Sequence, residues 1–301
     1  MIGFGAAPIA GLYSAVSEEQ ARATIDTAWE CGVRLYDTAP HYGLGLSERR
    51  LGAALAGRTG FTLSTKVGRL LVPSSAGGRD PDGFDIPADF RREWDFSRDG
   101  VLRSLEESLV RLGLDRIDVA LIHDPDDHVE QAVSEAYPAL EELRDQGVVT
   151  SIGVGMNQWQ VPLHFVRETG IDVVMLAGRY TLLDQSGLPL LDECAARGVR
   201  VMAAGVFNSG MLATPEPGTT FDYVPASAEI MERARKIAAV CERYDVALPQ
   251  AAMAFPLRHA AVSSVVLGAR SPAEVRANAA LWSRPVPEEL WEELRRDGSI
   301  R

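Results

Sequence analysis

The stretch GVRLYDTAPHY, residues 32–42, changes abruptly from an apolar run to a polar loop. Its first half has the β-branched and aromatic character of a buried strand, and Asp37 follows at the point where that strand would end. The same change recurs further along the chain, where two apolar runs end on Lys66 and His123. The repeated pattern predicts buried strands that carry polar side chains at their carboxyl ends.

Short apolar runs alternate with amphipathic segments along the whole chain. The candidate strands are continuously apolar, as in parallel strands covered on both faces, and they span residues 2–6, 33–37, 61–66, 117–122, 148–154, 172–176, 199–204 and 263–267. The candidate helices between them run from Ser17 to a stop at Cys31-Gly32, and near residues 46–56, 98–112, 130–146, 158–169, 186–197, 227–243 and 272–282. Eight strands that are each followed by a helix predict an α/β chain with one domain over residues 1–301, folded as a single (β/α)8 TIM barrel.

Four polar side chains are predicted to meet at one face of this barrel, namely Asp37, Tyr42, Lys66 and His123. The carboxyl ends of the strands share that face, so residues far apart in sequence converge there. An aspartate that holds the lysine lets the ammonium lower the pKa of the tyrosine from about 10, while the histidine orients a substrate oxygen. Each residue alone is equally typical of a solvated strand end or a turn. Together they predict a proton-transfer site that needs no metal.

Two interruptions of the alternating pattern are predicted on the same face. Residues 68–97 form a long loop with no regular pattern, and the loop begins two residues after Lys66. Loops at this face of a barrel normally build the site, so we predict a lid over the substrate, the alternative being a self-packed surface loop. The second interruption, Pro215 to Pro225, is either a cover for a bound cofactor or a plain connector.

The composition is that of a soluble enzyme. Apolar residues make up 46% of the 301 residues, enough for one large core, and the net charge of −12 argues against nucleic acid as a partner. The three cysteines are widely separated and show no metal-binding spacing. We see neither a signal-peptide pattern nor an apolar run long enough to span a membrane, so we expect a cytoplasmic protein without membrane association.

An ordered series of motifs resembles the aldo-keto reductase family, from Gly3 to about Trp282. The series contains YDTAPHYG at 36–43, SE at 47–48, STKVG at 64–68, SLEESL at 104–109, RLG at 111–113, DVALIH at 118–123, GVGMN at 153–157 and GARSP at 268–272. The catalytic tetrad of that family matches, position by position, Asp37, Tyr42, Lys66 and His123. The phrases VFNSG at 206–210 and HDPDDH at 123–128 resemble the bacterial sugar 1-dehydrogenase branch of the family.

The resemblance implies NAD or NADP as the cofactor. Barrels commonly bind phosphate through the loops after strands seven and eight, at a helix N-terminus. The residues implied for cofactor binding are Asn157 at the nicotinamide carboxamide, Asn278 at the adenine, and Gly205, Phe207, Asn208, Ser209, Gly268, Arg270, Ser271 and Glu274 in those two loops. Many relatives carry an arginine for the 2′-phosphate where Glu274 aligns, which favours NAD, although Arg270 and Arg276 oppose this preference. Phe207 is expected to replace the nicotinamide-stacking aromatic that is absent at Ala204.

Three further side chains are expected to contact a small-molecule substrate: His41, Trp94 and His128. By resemblance, the reaction is the oxidation of an aldose of the L-fucose or D-threo-aldose type at C1 to the lactone, with Tyr42 as general acid and base. A broad carbonyl reductase, a pyridoxal 4-dehydrogenase and a non-catalytic cofactor-sensing subunit remain as alternatives. The sequence leaves the oligomeric state open.

Overall fold

A computed structural model describes residues 1–75, 77–222 and 224–301. Eight parallel strands close into a barrel in chain order, and the first strand pairs with the last. The strands are β1 (Ile2–Gly5), β2 (Leu35–Asp37), β3 (Thr62–Val67), β4 (Val119–His123), β5 (Ser151–Met156), β6 (Val173–Ala177), β7 (Arg200–Ala204) and β8 (Val262–Gly268). The predicted (β/α)8 barrel is therefore confirmed, with each strand within a few residues of its predicted position.

Helices pack around the outside of the barrel. They are α1 (Glu18–Glu30), α2 (Leu46–Leu55), α3 (Arg98–Leu112), α4 (Tyr137–Asp145), α5 (Gln160–Glu168), α6 (Leu188–Arg197), α7 (Ala228–Arg243), α8 (Leu248–Ala254), α9 (Pro272–Trp282) and α10 (Glu288–Arg296). Serine hydroxyls at Ser17 and Ser97 cap α1 and α3 by accepting backbone N–H groups of their first turns. Within the described ranges, no helix is both long enough and apolar enough to cross a membrane.

The helix predicted near residues 130–146 is present and runs without a break from Val129 to Asp145, but it is not α-helical throughout. A single helical turn (Val129–Gln131) and a π-helical turn (Ala132–Ala136) precede α4. The widened turn inserts an extra residue into the helical repeat, a change that an averaged amphipathic pattern does not reveal. Helices α8 and α10, which have no predicted counterpart, lie after the last two helical segments that the pattern identified.

Residues 68–97 do not form the loop without regular structure that the sequence predicted. Arg69–Pro73 and Phe90–Trp94 pair as antiparallel strands, and Arg69 lies opposite Trp94. The second strand buries only Arg92, so it lacks the alternating apolar pattern by which a strand is recognised. In the segment Pro215 to Pro225, Thr220–Phe221 likewise pairs with Val224–Pro225 as two short antiparallel strands. We call the larger element the 69–94 hairpin.

The interior of the barrel places the site. An inner cluster fills the barrel and includes Leu35 and Leu121. Alternate residues of a strand point the same way, so Asp37 and His123, two positions further on, face the same interior at its carboxyl end. Lys66 lies on β3, the strand between β2 and β4. The strand periodicity therefore directs these polar side chains into the mouth of the barrel.

Candidate active site

Lys66 and Asp37 form a buried ion pair at the base of the site. Nζ of Lys66 donates to Oδ1 and Oδ2 of Asp37 at 3.0 and 2.7 Å, and to the carbonyl oxygen of Thr38 at 2.9 Å. The side chains of Lys66 and Asp37 are only 2% and 3% exposed. Burial lowers the pKa of Lys66, but Asp37 and Tyr42 outweigh burial and leave that pKa raised. The lysine is therefore a fixed positive charge.

Tyr42 lies above this ion pair, in the loop after β2. Its N–H donates to the carbonyl oxygen of Ala39 at 3.1 Å, and the ammonium of Lys66 lies 4.7 Å from the centre of the phenol ring. Burial raises the pKa of Tyr42 above its ordinary value; Lys66 opposes the rise, whereas Asp37 adds to it. The prediction of a lowered phenol pKa is wrong here, because burial disfavours the phenolate more than an ammonium already paired with Asp37 stabilises it.

His123 ends β4 and faces Tyr42. The two rings meet edge to face, with centroids 6.0 Å apart and an interplanar angle of 88°. Burial lowers the pKa of His123 well below its ordinary value, and the positive charges of Arg69 and Lys66 act in the same direction. Nδ1 of His123 is buried and has no hydrogen-bond partner among the described residues. The ring is therefore a neutral imidazole that carries a single N–H.

A cavity of about 140 Å³ brings the predicted residues together. Its walls are His41, Tyr42, Lys66, His123, Asp124, Gly155, Met156, Asn157, Met175 and Ala177. These residues come from the carboxyl ends of β3 to β6 and from the loop after β2, as the barrel geometry requires. Asp37 lies behind Lys66 and does not line the cavity. A proton donor, a fixed charge and a neutral imidazole therefore surround one small space.

The three predicted substrate residues lie at different distances from this cavity. His41 lines it, and its Nδ1 lies 3.1 Å from Nη1 of Arg69. Trp94 is 48% exposed at the end of the 69–94 hairpin, with the guanidinium of Arg69 5.5 Å from its ring. His128 is exposed and stacks on Phe96 outside the cavity. The structure thus places His41 in the site, Trp94 one side chain away and His128 at a greater distance.

The 69–94 hairpin contributes charged residues that the sequence analysis did not identify. Arg92 is buried, donates to both carboxylate oxygens of Asp80 at 2.6 and 2.7 Å, and donates to the carbonyl oxygen of His41 at 2.7 Å. Arg69 donates to Oδ2 of Asp124 at 2.5 Å. Asp124 directly follows His123, and Arg69 lies three residues after Lys66. Their nearness in sequence to the tetrad is the feature from which they could have been predicted as site residues.

The loop after β7 has the features of a cofactor site. Gly205, Asn208 and Ser209 have positive φ angles of 62°, 46° and 59°. Asn208 is buried, and its Oδ1 has no partner among the described residues, while its Nδ2 donates to the carbonyl oxygen of Gly178 at 3.4 Å. Phe207 is half-buried and packs against the outer core. An orphaned amide oxygen in a tightly turned loop provides an acceptor for a polar ligand.

The N-terminus of α9 follows β8 and is closed by its own side chains. The hydroxyl of Ser271 accepts the N–H of Glu274 at 3.3 Å, and Oε2 of Glu274 accepts the N–H of Arg270 at 2.9 Å. This reciprocal arrangement resembles a capping box, except that the glutamate accepts from the residue before the N-cap. The Arg270 guanidinium donates to the hydroxyl of Ser14 at 2.8 Å. A Cβ at Gly268 would come within 2.8 Å of Pro8, so this strand end requires a glycine.

The two asparagines predicted for cofactor binding lie in different hollows of the molecule. Asn157 lines the cavity beside Tyr42 and Lys66, so an amide is available where the nicotinamide would lie. Asn278 lines a separate hollow of about 200 Å³, between α1, α9 and strands β1 and β8. Within the described residues, no three His, Cys, Asp or Glu side chains are grouped closely enough to hold a metal ion.

The chain, with its parallel barrel and proton-transfer site, is an NAD(P)-dependent oxidoreductase, as comparison with known proteins shows. The chain matches the model of the Aldo/keto reductase family over residues 1–296, and it belongs to that family. It is similar to D-threo-aldose 1-dehydrogenase from a Pseudomonas species, with 46% identity over 97% of this chain and 92% of that protein. It is also similar to pyridoxal 4-dehydrogenase from Microbacterium luteolum, with 40% identity over 99% of this chain and 94% of that protein.

Solved structures of other proteins have the same fold. The holo form of an aldo-keto reductase from Bacillus halodurans is 25% identical and superposes with a TM-score of 0.76, covering 98% of this chain and 91% of that one. The glycerol dehydrogenase from Gluconobacter oxydans is 21% identical and gives a TM-score of 0.77, covering 100% of this chain and 93% of that one. The second likeness concerns the fold alone.

Proposed function

We propose that the protein is an aldose 1-dehydrogenase that oxidises the anomeric carbon of a sugar hemiacetal to the lactone. The observation that carries this proposal is the convergence of Tyr42, Lys66 and His123 on one small cavity. The 46% identity to a D-threo-aldose 1-dehydrogenase supports a sugar as the substrate. The cavity is lined mainly by polar and charged side chains, together with Met156 and Met175.

Each member of the tetrad has a distinct role in this reaction. The bound nicotinamide supplies the hydride acceptor for the hydrogen on C1. Tyr42 takes the proton of the anomeric hydroxyl as general base, and it returns a proton in the carbonyl-reducing direction. Lys66 favours the phenolate through its charge, and Asp37 keeps that charge in place. His123 donates its single N–H to the reacting oxygen and so fixes the position of that oxygen.

The cofactor is proposed to be NAD rather than NADP, by a modest margin. The carboxylate of Glu274 lies on the N-terminus of α9 and accepts the N–H of Arg270, so it already occupies part of the position that an anion would take. A 2′-phosphate there would meet a like charge, whereas the 2′-hydroxyl of NAD can donate to the carboxylate. Arg270 opposes this preference less than its position suggests, because its guanidinium binds Ser14.

Pyridoxal is a second candidate substrate, favoured by the 40% identity to pyridoxal 4-dehydrogenase over 99% of this chain. Pyridoxal in its cyclic form is also a hemiacetal, so its oxidation to a lactone would use the same tetrad. The two candidates therefore share a reaction and differ in the shape of the substrate.

Turnover assays distinguish an aldose from pyridoxal as the substrate. The purified protein would be assayed with L-fucose, other aldoses, pyridoxal and simple aldehydes, each with NAD and with NADP, by following the reduced nicotinamide and identifying the product. We expect the highest kcat/KM for an aldose, with a lactone as product. Oxidation of pyridoxal alone would favour the second candidate, and activity confined to simple aldehydes would contradict both.

A further inference from the structure

Asp124 has an unusual backbone conformation for a residue with a side chain. Its φ angle is 40°, in the left-handed region that aspartate tolerates better than most residues but still at a cost in free energy. Its N–H donates to the carbonyl oxygen of Gly155 at 3.1 Å, and this bond holds the conformation. Such strain persists where the surroundings enforce it, often beside a functional site. Here it accompanies a carboxylate that lines the cavity beside His123.

The carboxylate of Asp124 has one oxygen engaged and one available. Oδ2 accepts from Nη2 of Arg69 at 2.5 Å and lies 3.5 Å from Nε2 of His123. No described residue donates a hydrogen bond to Oδ1, although the side chain is only 23% exposed. An ionised carboxylate accepts hydrogen bonds and donates none. Asp124 therefore brings to the cavity wall a carboxylate oxygen that has no hydrogen-bond donor among the described residues.

Arg69 fixes this carboxylate and a neighbouring imidazole together. The same guanidinium that binds Asp124 donates through Nη1 to Nδ1 of His41 at 3.1 Å. A guanidinium has no acceptor, so Nδ1 of His41 must carry the lone pair, and neutral His41 carries its hydrogen on Nε2. Burial, together with the charges of Arg69 and Arg92, lowers the pKa of His41 to about 2, so the ring remains neutral. Arg69 thus orients an acceptor and a donor at one cavity wall.

We propose that Asp124 determines substrate specificity by accepting a hydrogen bond from a hydroxyl on the carbon next to the reacting carbon. The inference rests on the proposed reaction at the cavity and adds to it a requirement for an adjacent hydroxyl. His123 Nε2 donates to the reacting oxygen, and Oδ1 of Asp124, on the carboxylate whose other oxygen lies 3.5 Å from that nitrogen, accepts from the neighbouring oxygen. Oxygens on adjacent carbons of a sugar have a similar separation, so one donor and one acceptor engage both of them.

The substrate class follows from the chemistry of the pair. A carboxylate rejects a phosphate, a carboxylate or a carbonyl at this position, because each of these brings electron density without a hydrogen to donate. It favours a hydroxyl over a hydrogen or a methyl group, because a buried acceptor left without a donor is costly. The structure therefore assigns to this site 2-hydroxy aldehydes and aldoses that have a free hydroxyl at C2.

The test compares Asp124→Asn with the wild type on two pairs of substrates. In the oxidising direction the pair is the best aldose and its 2-deoxy analogue; in the reducing direction it is glyceraldehyde and propanal. Asparagine tolerates the left-handed backbone and keeps the side-chain shape, but it loses the charge. The amide oxygen must face the donating Arg69, which leaves an NH2 group where the hydroxyl needs an acceptor, so we expect kcat/KM for the hydroxylated member of each pair to fall about 10- to 100-fold. For the substrate without the hydroxyl, kcat/KM should change less than about threefold.

Asp127→Asn is the matched control, since it removes the same charge from an exposed position in the same loop. Asp127→Asn should leave kcat/KM unchanged for both substrates of each pair. An equal fall for both members in Asp124→Asn would overturn the proposal and make Asp124 a residue that acts on His123. The proposal would also be overturned if kcat/KM in Asp124→Asn did not fall for either substrate of a pair. An unfolding transition and a cofactor affinity equal to those of the wild type show that the variant is intact.

The reducing pair keeps this test separate from the proposed function. If no aldose is oxidised, the aldose 1-dehydrogenase proposal fails, yet glyceraldehyde and propanal still report on the role of Asp124 in an oxidoreductase. If aldoses are oxidised but Asp124→Asn does not discriminate between the paired substrates, the specificity proposal fails and the proposed function stands.

Discussion

Nζ of Lys66 lies 2.7 Å from Oδ2 of Asp37, in a part of the barrel that water hardly reaches. A buried pair of this kind adds little net stability compared with an apolar pair, but removal of one partner leaves an uncompensated charge. The ion pair therefore serves to maintain a charge beneath Tyr42, and variants of these residues should change catalysis and stability together.

Tyr42→Phe should remove most of the activity and leave the fold intact. The phenol is the only proton carrier that we propose, and general acid–base catalysis typically contributes about 10²- to 10⁴-fold to the rate. We expect kcat to fall by that factor, while the unfolding midpoint and the affinity for the cofactor stay close to wild type. A variant with near wild-type kcat would remove Tyr42 from the mechanism.

Lys66→Met should lower kcat and shift the residual oxidation activity to higher pH. Lys66 opposes the raised pKa of Tyr42, so its loss lets that pKa rise further, and the phenolate then forms only in more alkaline solution. The free energy of unfolding should fall by about 3–5 kcal/mol, because Asp37 loses its partner. Lys236→Met, the same change at an exposed lysine that pairs with Asp297, should cost less than about 1 kcal/mol. An unshifted pH profile would show that Lys66 has no influence on the phenol.

The stability of the protein should decrease as the pH falls below about 6.5. The pKa values of His41 and His123 are lowered in the folded state, so below 6.5 the unfolded chain binds protons that the folded chain does not. Stability is fully present above that pH, and each histidine removes about 1.4 kcal/mol per pH unit below it. Urea titrations between about pH 8 and pH 5 measure this slope.

The control for this pH dependence is a histidine variant. In His41→Gln, the difference in bound protons between the unfolded and folded states should fall by about one, and the slope of stability against pH should fall accordingly. A wild-type protein whose free energy of unfolding does not change over this range would contradict the assignment of two buried neutral histidines.

Trp94→Ala should raise KM for the sugar more than it weakens cofactor binding. Trp94 covers the guanidinium of Arg69, which in turn holds Asp124 and His41, so its loss should loosen the substrate side of the cavity. Phe90→Ala is the matched control, because Phe90 is an exposed aromatic at the far end of the same strand, opposite Pro73. Equal effects on sugar and cofactor, or equal effects of the two variants, would make the role of Trp94 structural.

Glu274→Arg should shift the cofactor preference toward NADP by about tenfold in the ratio of kcat/KM values, as a favourable charge replaces an unfavourable one at a solvated position. Glu274→Gln should keep the helix cap, since the amide oxygen of glutamine can accept the same Arg270 N–H, and should weaken the preference for NAD only slightly. A wild type that favours NADP tenfold would show that Arg270 and Arg276 outweigh the carboxylate.

The barrel was predictable because its strands are uniformly apolar and end on polar residues. Asp37, Lys66 and His123 all follow apolar runs, and strand periodicity then determines which way they point. The 69–94 hairpin was not predictable in this way, since its second strand is mostly exposed and buries a charged residue, Arg92. Its strands are held by cross-strand pairing and by ion pairs to distant residues, and neither leaves a pattern in the local sequence.

The candidate site shows the same division between local and distant effects. The residues around the cavity could be predicted because they lie at strand ends. The direction of the Tyr42 pKa shift could not, because it depends on how deeply the ring is buried, which is a property of the whole fold. The orientation of Asp124 depends on a backbone angle and on a partner, Arg69, that lies 55 residues earlier in the chain. Neither could be obtained from the sequence around Asp124.

The residues of the 69–94 hairpin and the residues that transfer the proton lie in different segments of the chain. The groups that transfer the proton are built into the barrel strands and the loop after β2, whereas Arg69, Arg92 and Trp94 come from a single excursion between β3 and α3. Arg69 holds His41 and Asp124 in the cavity wall, so mutation within that excursion should alter which molecules are accepted while the chemical step is preserved. The natural unit for library construction is therefore this contiguous segment together with Asp124, which lies outside it.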